Sequence, residues 1–209
     1  MDLKELIHVL RSATTAEETD IYRDEIIALI PQVKLMVGYD QHNLSHKYDL
    51  WEHSLWTVAN LPEDMDDDMV YLAALLHDIG KPDCRIYGEK NGMVNMHYYG
   101  HPEKGVEIIR NEIIPKINKS DKVISLEEQR RLLYYVGHHD DHVSLRMRHL
   151  RKHLELGAGL DEFRNLMKLQ VADAKAHIPI PVVQARIEMC KKLSGEYAEK
   201  LYRDIMDGK

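Results

Sequence analysis

Leu72-Ala73-Ala74-Leu75-Leu76-His77-Asp78-Ile79-Gly80-Lys81-Pro82 places an imidazole and a carboxylate side by side at the end of an otherwise apolar run. Val70, Ala73, Ala74 and His77 recur at i, i+3, i+4 and i+7, so the spacing predicts an amphipathic helix with His77 on its inward stripe. Gly80 and Pro82 end that helix. A buried acid beside a buried imidazole is costly unless something charged or hydrogen-bonding satisfies both, and a divalent metal does so. The dipeptide alone decides little, because most buried polar pairs only hydrogen-bond to a neighbour.

The composition around it is that of an ordinary globular protein: 209 residues, 44% apolar and 30% charged, read as one domain. A net charge of −7 argues against a nucleic-acid binder working through a broad basic surface. The two cysteines, Cys84 and Cys190, lie far apart and form no CxxC pair, so neither a disulfide framework nor a zinc-cysteine site is suggested. The N-terminus has no cationic segment leading into an apolar one, and no apolar run is long enough to span a membrane, so a cytoplasmic protein is expected. The unusual count is histidine, at 13.

Upstream of the His77 helix, Leu3, Leu6, Ile7 and Leu10 predict a first helix, and a second is expected from near Thr15 to Ile30, before Pro31. Gly38 to Tyr48 reads as an irregular loop. Asp49-Leu50-Trp51-Glu52 has the form of a capping box, which sets His53 in the first turns of a helix ending before Pro62. Asp64, Asp66, Asp67 and Asp68 lack EF-hand spacing and read as capping charge for the His77 helix.

Downstream, Asn91-Gly92 between short apolar runs predicts a β-hairpin between about Arg85 and Tyr98. Pro102 suits the first position of the next helix, with His101 at its N-cap. Ser125-Leu126-Glu127-Glu128 is a second capping box, opening a helix that reaches His138-His139-Asp140. Met147 to Leu156, flanked by Arg146 and carrying Arg148, Arg151 and Lys152, reads as a solvated helix. Leu166, Leu169 and Asp173 fall on one apolar face of a longer helix, so Asp173 needs a partner. A last helix over about 182–206 carries Val183, Ile187, Cys190, Leu193 and Leu201 on a face that covers the core or a second copy. The expected fold is an all-α bundle with one short β-hairpin.

The order His53, His77-Asp78, His101, His138-His139, Asp173 is more specific than any of its parts. It resembles the HD-domain superfamily of metal-dependent phosphohydrolases, whose pattern is H…HD…D with two further histidines in the binuclear branch. Local contexts match over about residues 40–178: Asp49-Leu50-Trp51-Glu52-His53-Ser54-Leu55, His77-Asp78-Ile79-Gly80-Lys81-Pro82, Gly100-His101-Pro102-Glu103-Lys104-Gly105 and Ala172-Asp173-Ala174. They look most like the HD domain of bacterial CCA-adding tRNA nucleotidyltransferases, without the nucleotidyltransferase part.

The resemblance implies that His53, His77, Asp78 and Asp173 hold one metal, that His101 and His138 hold a second, and that Asp78 bridges them. Imidazoles and carboxylates without thiolates suit Mn, Fe, Ni, Co or Mg. Lys81 is placed to meet a phosphate oxygen and is counted with Asp78 as catalytic. Adjacent residues at a helix end point about 100° apart, so one of His138 and His139 is expected to face the metals. His138 is favoured; His139, with Lys81 and Arg148, is assigned to substrate.

The expected activity is hydrolysis of a phosphomonoester or phosphodiester, in a small nucleotide or a 2′,3′-cyclic phosphate. The alternatives are a single-metal 5′-nucleotidase and a catalytically silent nucleotide-binding module. Expected partners are a small phosphorylated substrate and, through the last helix, a second copy of the chain. No membrane is expected, nor nucleic acid beyond an RNA end.

Overall fold

A computed structural model describes residues 1–43, 46–119 and 124–208, which are mostly helical. The helices are α1 (Leu3–Ser12), α2 (Ala16–Asp20), α3 (Arg23–Leu29), α4 (Leu50–Ala59), α5 (Asp68–Leu76), α6 (His101–Ile108), α7 (Ile114–Ile117), α8 (Leu126–His138), α9 (Met147–Glu155), α10 (Leu160–Ala176), α11 (Pro181–Leu193) and α12 (Glu196–Met206). A π-helical turn over Ile109–Ile113 joins α6 to α7, and 3₁₀ turns occupy Pro31–Leu35 and Lys81–Cys84. No helix is long and apolar enough to cross a membrane among the described residues.

The centre of the bundle is α5. Every residue from Met69 to Leu76 is buried, so the helix is enclosed on all sides rather than along one stripe. A helix apolar all round can only be stable as the core of others. It packs against α1, α4, α8 and α10. Asp67 caps its start, accepting from the Met69 N–H at 3.0 Å and from the Tyr135 hydroxyl at 2.8 Å. A cap contributes about 1 kcal/mol, whereas burying each of Leu72, Leu75 and Leu76 contributes roughly 1.5–3 kcal/mol, so packing decides where this helix lies.

Local signals are realised with small shifts. Asp49 caps α4 by accepting from the Glu52 N–H at 2.8 Å, and Ser125 with Glu128 forms the reciprocal box at α8. The helix expected from Thr15 to Ile30 is broken at Ile21-Tyr22 into α2 and α3. The final helix is likewise broken at Ser194-Gly195 into α11 and α12. The α6 N-cap is Gly100, in the left-handed region at φ 78°, which moves His101 one place in, to the first helical position. Helix α9 is not solvated all round, because His149, Leu150 and His153 are buried on one face.

Between Arg85 and Tyr98 no extended hairpin forms. The pairing there is limited to the two-residue strands β1 (Glu89–Lys90) and β2 (Met93–Val94) and an isolated bridge between Ile86 and His97. Asn91 and Gly92, both at positive φ, make the turn. Of the irregular loop expected from Gly38 to Tyr48, residues 44 and 45 lie outside the described residues.

Gly80 does something other than end a helix. It sits at φ −80°, open to any residue, but a β-carbon there would lie 2.3 Å from the His101 carbonyl oxygen and 2.6 Å from the Gly105 nitrogen. The turn after Asp78 therefore lies directly on the backbone of α6, and this contact sets the distance between His77-Asp78 and His101. Gly80→Ala is expected to destabilise the fold by about 2 kcal/mol or more through overpacking, a fall in Tm of roughly 4–8 °C by calorimetry; an unchanged Tm would show that α6 is free to move away.

Candidate metal centre

The bundle brings together the C-terminal ends of α5 and α8, the first turns of α4 and α6, and the last turns of α10. His77 follows the last residue of α5, and its Nδ1 donates to the Ala74 carbonyl at 2.9 Å. His101 Nδ1 donates to the Tyr98 carbonyl at 2.8 Å, and His139 Nδ1 to the Val136 carbonyl at 2.7 Å. A carbonyl oxygen only accepts, so all three rings carry their proton on Nδ1 and, when neutral, present a lone pair on Nε2.

Those lone pairs converge on Asp78. Its Oδ2 lies 3.1 Å from His77 Nε2, 3.5 Å from His53 Nε2 and 2.7 Å from Lys81 Nζ. Its Oδ1 lies 3.1 Å from His101 Nε2 and 3.4 Å from His139 Nε2. Asp173 completes the first side, with Oδ1 at 3.0 Å from His53 Nε2 and 3.7 Å from His77 Nε2. The nitrogens also crowd each other, at 3.3 Å between His53 and His77 and 3.1 Å between His101 and His139. His53, His77, Asp78, His101, His139 and Asp173 are all buried.

Lone pairs turned on carboxylate oxygens and on one another repel unless a cation lies between them. Tetrahedral ligands about 2.0–2.1 Å from a metal stand roughly 3.3 Å apart, which matches these separations. The donor set therefore fits divalent metal binding. His53, His77, Asp78 and Asp173 would form one group; Asp78, His101 and His139 would form the other.

The electrostatics agree. Burial pushes the Asp78 carboxyl up, but the charge of His77 and Lys81 beside it outweighs burial and holds it well below the usual carboxylate range. Asp173 is likewise driven up by burial and held down by His177, His53 and His77. Burial lowers His139, and it brings His53 down to about 4 against the pull of Asp173. His77 is also disfavoured as a cation by burial, yet the charge of Asp78 raises it overall. These rings compete for positive charge that a proton on one of them cannot supply to both groups at once.

Most residues singled out from the sequence meet here, with two exceptions. His138 was favoured over His139 as the inward residue, and the geometry reverses this: His138 is a quarter exposed and its Nδ1 faces Asp141 at 3.0 Å, while His139 faces Asp78. Their 100° separation at the end of α8 turns one in and the other away. Arg148, assigned to substrate, is exposed on α9 and does not line the cavity above Asp78, because the inward face of that helix belongs to His149 and His153.

That cavity has a volume of about 430 Å³ and is lined by Asp78, Lys81, His101, His139 and Asp173 among others. Lys81 is buried, donates to Gln41 Oε1 at 2.8 Å and lies beside Asp78. The lining also includes His46, His177 and Arg186, which the sequence reading does not place at a site. His177 Nδ1 donates to the Asp173 carbonyl at 2.9 Å, and its ring packs against those of His46 and His53. Arg186 donates to the His139 carbonyl at 2.9 Å and to Asp140 Oδ1 at 3.2 Å. A signal for Arg186 existed, since Val183, Arg186, Ile187 and Cys190 recur at i, i+3, i+4 and i+7 and put a charge on an apolar stripe. His177 follows Asp173 by four residues, one helical turn on. His46 lies in a loop and had no such marker.

Comparison with known proteins agrees with this geometry. Residues 44–176 match the HD domain. A CC-adding tRNA nucleotidyltransferase of Thermus thermophilus is 38% identical over 85 residues, 39% of this chain and 18% of that protein. A multifunctional CCA protein of Legionella pneumophila is 28% identical over 88 residues, 42% of this chain and 20% of that protein. The chain thus spans about a fifth of the length of these relatives.

Metal should stabilise the fold, because the donors repel one another without it. At a hundredfold excess over Kd, Mn, Ni or Co should add about 2.7 kcal/mol, raising Tm by roughly 5–11 °C over chelated protein in calorimetry, and Asp78→Asn should remove most of that rise. No rise with any divalent ion would count against the donor set.

Proposed function

The chain belongs to the HD domain family, and on that premise we propose that it is a metal-dependent phosphohydrolase with two ions held on a shared Asp78. The observation that carries this reading is the position of Asp78, one oxygen turned to His53 and His77 and the other to His101 and His139. Such ions, when bound, activate water and offset the charge on the attacking and leaving oxygens of a phosphoryl transfer. The single-metal alternative leaves His101 and His139 as substrate contacts, and does not account for both facing the second oxygen of Asp78.

The chain's own part is to hold and orient an anionic substrate. The Lys81 ammonium, fixed by Gln41 and Asp78, presents positive charge to the cavity. Arg186 lines the same cavity with two nitrogens held by the His139 carbonyl and Asp140. A guanidinium anchored in this way is suited to meet phosphate oxygens. Hydrogen bonds from Nδ1 of His77, His101 and His139 to fixed carbonyls keep the rings from rotating, which preserves the geometry between turnovers.

The substrate we propose is a small nucleotide or a 2′,3′-cyclic phosphate. A cavity of this size suits a mononucleotide better than a folded RNA, and among macromolecules an RNA end would be the part that enters. The tRNA chemistry named for the relatives is not carried over, since the chain spans so little of their length.

The test is a screen of phosphomonoesters, 2′,3′-cyclic phosphates and nucleotides with metal-loaded protein, alongside elemental analysis. Two ions per chain at the Asp78 centre and metal-dependent hydrolysis are expected, with Asp78→Asn lowering kcat at least a hundredfold, the scale of a lost charge-stabilising group. His139→Ala should lower both metal content and kcat, whereas His138→Ala should leave kcat near that of the wild type. A metal count of one that His139→Ala leaves unchanged would favour the single-metal reading.

A further inference from the structure

On the outer side of the α8 end, a second group of polar side chains lies apart from Asp78. His138 Nδ1, Asp141 and the ring nitrogens of His153 offer one atom each within 4.8 Å of one another. His138 Nδ1 is 3.0 Å from Asp141 Oδ2, and His153 Nε2 is 3.9 Å from the same oxygen. His153 is fully buried, and its Nε2 makes no hydrogen bond. Its other nitrogen, Nδ1, lies 3.0 Å from the Tyr134 hydroxyl, whose oxygen can accept a hydrogen bond from Nδ1–H in the tautomer that leaves a lone pair on Nε2. We infer that His138, Asp141 and His153 form a further divalent-cation site of the zinc class, separate from the centre on Asp78.

Three features besides proximity point to a cation. A fully buried imidazole nitrogen without a partner is costly, and it is aimed at a carboxylate through a distance too long for a hydrogen bond. Two imidazoles and one carboxylate are a common zinc donor set, with water completing a tetrahedron. A cation already lies against this carboxylate: Lys152 Nζ stands 2.8 Å from Asp141 Oδ2, on a side chain more than half exposed and free to swing away.

Protonation states favour the same reading. Burial brings His153 down to about 3, so the ring is neutral at neutral pH. His149, one turn before His153 on α9, is itself brought down to about 4 by burial and adds no positive charge nearby.

The site joins the start of the 140s loop to α9, and the residue next to His138 is His139, which faces Asp78. A metal ion here would lie beside the backbone that carries His139, with Asp141 also lining the cavity above Asp78.

The experiment is zinc and cobalt(II) binding to the full chain, read by equilibrium dialysis with elemental analysis and by cobalt absorption. The wild type should bind one zinc more than His153→Gln or Asp141→Asn, with folding of each variant checked by circular dichroism. Lys152→Met, a surface change, should tighten that additional zinc by roughly two- to fivefold, the worth of an exposed ion pair. In an Asp78→Asn background the additional zinc should persist and be lost on adding His153→Gln, so this result stands or falls apart from the hydrolase reading. Equal zinc in wild type and both ligand variants, or an affinity unmoved by Lys152→Met, would overturn the site.

Discussion

The Asp78 carboxylate faces four imidazoles, and the arrangement of the protein follows from that constraint. An ionised acid almost wholly removed from water is tolerated only where positive charge or hydrogen-bond donors surround it. Here Lys81 supplies one charge at 2.7 Å, but the rings present lone pairs rather than protons because three of them donate through Nδ1 to backbone carbonyls. The remaining demand is for cations between the rings and the two carboxylates. Helix packing brings the helix ends together so that each delivers one ring or acid to that demand.

Rigidity of the supporting backbone is what makes such a centre specific. The carbonyls of Ala74, Tyr98 and Val136 each lie three residues before the histidine they orient, so the local backbone turn itself holds the tautomer. The same device is repeated at the ends of α5 and α8 and at the start of α6. Gly80 adds the contact between these local units, letting the turn after Asp78 rest on the α6 backbone. Had α5 been amphipathic and exposed on one side, its C-terminal end would have been free to shift. Enclosure by α1, α4, α8 and α10 removes that freedom.

The end of α8 serves two environments at once. His139 turns inward to Asp78, while His138, one residue earlier, turns to Asp141 and α9. Arg186 from α11 ties the two together by donating to the His139 carbonyl and to Asp140. This places the C-terminal helices in a functional role as well as a covering one. Arg186 lines the side of the cavity formed by α11, and its anchored guanidinium is the residue that a reading of ligands alone passes over.

Much of this was legible in the chain itself, because helix periodicity, capping residues and the order of histidines and acids are local properties. Asp49, Asp67 and Ser125 mark helix starts whose hydrogen bonds involve neighbours two or three residues away, so no distant contact was needed to find them. The set His53, His77, Asp78, His101 and Asp173 was visible through its order along the chain and the HD-domain resemblance that order carries, since each residue taken singly reads as an ordinary buried or capping group. What the sequence could not decide was direction and partnership. Whether His138 or His139 turns inward depends on the rotation of α8 about its axis, which is set by packing against α5 and α6 rather than by either residue. The true reason for Gly80, the breaks at Tyr22 and Gly195, and the arrival of His46, His177 and Arg186 at the cavity likewise depend on elements far apart in the chain. Local chemistry determined which side chains could do the work; only tertiary packing determined which of them face one another.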